Sequence, residues 1–336
     1  MRNVQTMYFM NLRTSLLRAF AVLMLHSMTL SAAVTFDFDY TAANHFDDTS
    51  KASLASAASM VSGFFNHTAT ISIAITDSNA NNNTLASAES SYANAFAAGE
   101  FTERGVVAAK ILSNGASDPN GGAADGSINV NFFHNWDFDD SIAADAYDFK
   151  QTMIHELLHA VGFGSSIEQN GNDSFGTTPG NAAFWEPFDA FVGDKDGAII
   201  DGNGILDATK WNAASVGGTG SVPASDGLYF HGTNAKNANG GNPVPIYSPT
   251  TWQSGSSGSH LDGDYYSGAN EMLMNASTGT GPGKRTLSQV EYGVLQDIGF
   301  TVVPEASHYA VVSGLALTLF ALKRKGRSRK HATVNV

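Results

Sequence analysis

The chain has 336 residues, of which 43% are hydrophobic and 15% charged, with 34 glycines, no cysteine and a formal charge of -13. That composition can bury a core and excludes an intrinsically disordered chain, while the lack of cysteine excludes a disulfide framework and leaves packing or bound metal to hold the fold. Nine basic residues face 30 acidic ones within residues 34–303, a local charge of 9 minus 30, or -21, so the basic footprint of a nucleic-acid binder is excluded too.

Residues 1–33 have the order of an export signal. Arg13 and Arg18 lead into an apolar run at 19–30, and Ser31, Ala32 and Ala33 supply the small residues that a signal peptidase requires, which predicts cleavage after Ala33. The run is well short of the ~20 residues needed to span a bilayer. Residues 34–302 are even in composition and carry no tandem repeat, so one domain is expected there. Alternation predicts strands at 34–40, 69–76 and 127–133. Helical spacing of Leu54, Ala58, Val61 and Phe65 predicts a helix over 50–66. A second helix is predicted over 148–163, with Asp145 and Asp148 at its start and Gly162 and Gly164 at its end. Beyond it, 164–181 and 231–259 are rich in Gly, Asn, Ser and Pro and read as long loops; regularity is expected to return only with a helix over 288–298, closed by Gly299.

The chemistry is concentrated on the 148–163 helix, in the run His155-Glu156-Leu157-Leu158-His159. Four residues advance a helix by a little over one turn, so the two imidazoles share a face and can bind one zinc ion. Glu156 lies beside them and is left to act as the base toward a water that the metal acidifies. A catalytic zinc takes three protein ligands, and the third is open among His231, His260, Glu168, Glu186 and Asp189. Three ordinary imidazoles would release the metal below about pH 6.

The run 155–163, HELLHAVGF, resembles the zinc helix of the metzincin peptidases, in which a glycine after the second histidine turns the chain toward the third ligand. The usual position of that histidine is occupied here by Ser165. The leishmanolysin-like branch instead supplies it far downstream, and residues 255–276 are similar to that branch's second motif. The resemblance implies His260 as the third zinc ligand and Met274 as the Met-turn residue, 14 positions beyond it, with Met272 as a substitute. Leu287-Ser288 and residues 295–300 look like the helix that follows. It further implies an α+β, zincin-like, two-lobed fold: a twisted mixed sheet with the active-site helix, then an irregular C-terminal lobe.

Residues 303–336 resemble a PEP-CTERM sorting segment, with Val303-Pro304-Glu305-Ala306-Ser307 followed by an apolar stretch at 309–322 and six basic residues. Ala306 stands where the family has a second proline. This implies processing by an exosortase-type enzyme, a tail transiently in the membrane as a short transmembrane helix, and residence in the envelope or outside a Gram-negative cell. The expected activity is zinc-dependent hydrolysis of a protein or peptide substrate; the alternative is a non-catalytic envelope or matrix protein that keeps the zincin fold. Other features carry less. Asp194, Asp196, Asp201, Asn203 and Asp207 are an oxygen-rich stretch that could hold Ca²⁺, though Ile205 replaces the closing carboxylate of an EF-hand and a solvated turn is favoured. His134, His231 and Tyr229 are candidates to approach the cleft, and Tyr265 and Tyr266 to hydrogen-bond a reaction intermediate.

Overall fold

A computed structural model describes residues 33–92, 98–99, 101, 105–218 and 226–303. The expected leader up to residue 32 and the expected tail from residue 304 lie outside the described residues. Among the described residues no helix is long and apolar enough to cross a membrane.

The architecture is mixed α+β. Strand β1 (Val34–Ala42) leads into helix α1 (Asp48–Ser62), which Asp47 starts by a capping box with Ser50. Strands β2 (Ala69–Ser78) and β3 (Ala86–Ser90), helix α2 (Val106–Leu112) and strand β4 (Gly126–Asn131) follow. The four strands form one sheet in the order β1-β2-β4-β3, parallel except for the antiparallel edge strand β3. Alternation in β2 works as the pleat requires: Ile71, Ile73 and Ile75 are fully buried, each worth about 1.5–3 kcal/mol relative to exposure, while the intervening residues face outward. The α1 residues Leu54, Ala57, Ala58 and Val61 recur at helical spacing and are all buried.

After the short pair β5 (Trp136–Asp137) and β6 (Tyr147–Asp148) comes α3 (Phe149–Val161). Asp148 caps it by accepting from the Gln151 N–H at 3.0 Å and is itself held by the Arg285 guanidinium. The helix packs against α1, β3 and β4 through Phe149, Met153, Ile154, Leu157, Leu158 and Val161.

The chain beyond α3 is less irregular than expected. It contains β7 (Val192–Asp194), β8 (Gly197–Ala198), α4 (Ala208–Ala214), β9 (Tyr229–Phe230), α5 (Thr233–Ala238) and β10 (Val244–Pro245), before α6 (Gln289–Asp297). The strands form a second sheet ordered β10-β9-β7-β8. α5 and β10 fall inside the predicted loop at 231–259; elements of two to six residues are too short for hydrophobic period to reveal. α5 and α6 approach so closely that a Cβ on Gly293 would lie 2.6 Å from the Ala235 Cα, and only glycine fits there.

Candidate metal centre

The α3 helix ends at Gly162, whose φ of +111° is left-handed. Gly162 N–H donates to His159 O and Phe163 N–H to Leu158 O, and the turn brings the Phe163 carbonyl back over the last helical turn. His159 Nδ1 lies 2.7 Å from that carbonyl oxygen. The next residues are clamped to the segment before His260: Ser165 N–H donates to Ser259 Oγ, and Ser259 Oγ–H donates to Ser165 O at 3.0 Å. Ser165, which was not among the expected metal ligands, is therefore a tether. Its hydroxyl donates to the buried Asp189, which also accepts from the Ser166 hydroxyl and the Glu186 N–H.

The tether delivers His260 to the helix 101 residues earlier. The Nε2 atoms of His155, His159 and His260 are 2.9, 3.0 and 3.1 Å apart. Each Nδ1 faces a main-chain oxygen: Leu273 O at 2.8 Å for His155, Phe163 O at 2.7 Å for His159, and Ser256 O at 2.9 Å for His260. A carbonyl only accepts, so each Nδ1 carries the proton and each Nε2 presents a lone pair. Three lone pairs converging on one point repel unless a cation lies between them. Their spacing is close to the roughly 3.3 Å expected between nitrogens bound at 2.0–2.1 Å to a tetrahedral metal. The His155–His159–His260 group, with His260 buried and the other two half-buried, could hold a metal ion.

Electrostatics agree with that donor set. Burial holds the imidazoles below their ordinary pKa: His155 is lowered, His159 is well below it with its two neighbours adding to the effect, and His260 falls to about 3. Glu156, 6% exposed, is pushed up to about 8 by burial, partly offset by the Ala88 N–H of edge strand β3. These groups line a cavity of about 670 Å³ walled by β3, by residues 253–256, and by Leu273 and residues 275–278.

The Met-turn residue named from sequence, Met274, is fully buried; its carbonyl accepts from Leu261 N–H at 2.8 Å, beside His260. Met272 is only partly buried. Glu186 lines the cavity but is not in the three-histidine group, nor are Glu168 and Asp189. His231 is turned away, its Nε2 2.7 Å from Asp194 O, and His134 Nε2 lies 3.0 Å from Thr84 O. Tyr229 is buried in the second sheet, and Tyr266 donates its hydroxyl to Asn239 with Tyr265 packed edge-on against it, so none of the three tyrosines lines the cavity. In the 194–207 stretch Asp194 accepts from Asp196 and Gly197, Asp201 from Asn203 and Ile205, and Asp207 caps α4. These carboxylates are spent on turns.

Sequence reasoning missed the carbonyls that orient the imidazoles, which carry no side-chain signal, and β3, whose run ASAES is too small and polar to stand out. It also missed Glu291, although Ser288-x-x-Glu291 is a legible capping box. No known protein family matches the chain, and no curated protein matches it.

Proposed function

We propose that this protein is an exported zinc-dependent endopeptidase with a zincin-type fold of the metzincin kind, residues 34–302 forming its catalytic domain. The observation that carries this is the convergence of three Nε2 lone pairs beside a buried, non-ligating Glu156. His155, His159 and His260 would hold the ion. Zinc, when bound, supplies a Lewis acid that polarises a carbonyl and acidifies water.

The chain's own groups supply the rest. Glu156 accepts a proton from the attacking water as the new C–O bond forms, and returns it to the amide nitrogen as the C–N bond breaks. Strand β3 pairs with β4 along one edge and lines the cavity along the other, so an extended peptide can add there as a further strand and present its backbone to the site. Cleavage after Ala33 by signal peptidase and handling of residues 303–336 by an exosortase-type enzyme at a Gram-negative envelope belong to the same proposal, on sequence grounds.

The test is digestion of a peptide library by the zinc-loaded protein and by Glu156→Gln. The wild type should cleave and lose activity to a chelator; the variant should keep its zinc and lose about 10²- to 10⁴-fold in turnover. Zinc bound without cleavage would turn the reading to a non-catalytic zincin.

A further inference from the structure

Glu291 is a fully buried carboxylate on α6 that does not line the cavity. One oxygen accepts the Ser288 N–H at 2.7 Å, the ordinary work of a capping box. The other accepts the Met274 N–H at 2.7 Å, and the Leu273 N–H donates to the same carboxylate. Capping needs only the first of these bonds, and a cap can do its work at the surface without the cost of burying a charge. All the partners of Glu291 are donors and favour the carboxylate form, while burial in the core pushes its pKa up.

The second contact leads to the metal centre through one peptide group. Its N–H belongs to Met274 and donates to Glu291; its C=O belongs to Leu273 and accepts the His155 Nδ1–H at 2.8 Å. An anion on the N–H side of a peptide polarises it and makes its carbonyl a stronger acceptor. The carbonyl in turn fixes the imidazole's tautomer and raises its strength as a ligand, as a directly bonded carboxylate does in other metal sites. The next carbonyl, that of Met274, pins Leu261 beside His260. By contrast, the oxygens facing His159 and His260 lie only four residues from each ring along the chain. His155 alone is oriented by a remote segment, and Glu291 holds that segment.

The geometry points to Glu291 as a positioning residue of the metal site, relaying a buried negative charge through the 273–274 peptide to His155 and fixing the turn beside His260. This rests on the reading that the three imidazoles bind a metal. The experiment measures zinc affinity by chelator competition, the visible spectrum of the cobalt(II)-substituted protein, and melting temperature, in wild type, Glu291→Gln, Glu291→Asp and Ser288→Ala. Glu291→Gln, nearly the same shape but neutral, should lose about tenfold in zinc affinity, the lower end of what loss of a ligand's supporting partner costs, and should shift the cobalt bands. Glu291→Asp, one methylene too short to reach Met274, should lose affinity in the same direction. Ser288→Ala, which weakens the same helix start but leaves the bonds from Glu291 to the 273–274 peptide in place, should lower the melting temperature and lose less zinc affinity than either Glu291 variant. Wild-type affinity in both Glu291 variants, or an equal loss in Ser288→Ala, would overturn the role. So would failure of both Glu291 variants to fold with zinc present, because Glu291 would then be a folding residue. A wild type that binds no metal would instead remove the metal-site reading itself.

Discussion

The two parts of the molecule on either side of Gly162 build their shares of the site by different means. Before it, a four-stranded ladder and two capped helices place His155, Glu156 and His159 on a single element whose geometry is set by its own backbone hydrogen bonds. After it, strands of two or three residues and many turns place only His260, and the position depends on side-chain tethers: Ser165 to Ser259, Asp189 to Ser165, Glu291 to Met274. A helix fixes two ligands cheaply in sequence. The third needs a network of buried and half-buried polar groups, each held by a specific partner.

That contrast can be broken experimentally. The largest effects should come from the cores: Ile73→Ala in the sheet and Met274→Ala in the turn each delete a fully buried side chain and should cost about 2–5 kcal/mol in denaturant unfolding. Only Met274→Ala should also weaken metal binding, since Ile73 touches no tether. His260→Ala should reduce zinc affinity by at least about 100-fold, more than loss of a supporting partner, whereas Glu186→Ala should leave it near wild type; chelator competition separates them.

Acidity sharpens the comparison further. Glu156 has a folded pKa raised from 4.5 to about 8, so its contribution to the stability of the metal-free protein is fully present below about pH 4.5 and is lost as pH rises through 8. Melting curves of chelated protein should show that loss, and Glu156→Gln should abolish it, melting several degrees higher than wild type at pH 8. With imidazole pKa values depressed by burial, zinc should remain bound at pH 6, in correction of the release expected for ordinary imidazoles. The smallest effect belongs to the tether: Ser259→Ala should cost about 1 kcal/mol in stability, read by denaturant titration.

The sequence was legible where a pattern repeats over several turns or strands. Helix α3, its pair of histidines on one face and the glycine-terminated end follow from spacing, as do β1, β2, β4, α1 and α6. His260 and Met274 came from resemblance, because nothing in their local spacing announces a partner 101 residues away. The tethers were hidden for a plainer reason: Ser165, Ser259 and Asp189 are among the commonest loop residues, and their roles exist only once the chain has folded.

The central claim is that one helix and one distant loop make a single three-imidazole centre, and cobalt(II) titration of chelator-stripped protein tests it most directly. The account predicts one cobalt per chain with the intense visible bands of a four-coordinate site, abolished by His155→Ala, His159→Ala and His260→Ala alike. Weak six-coordinate bands, or a strong spectrum that survives His260→Ala, would contradict it.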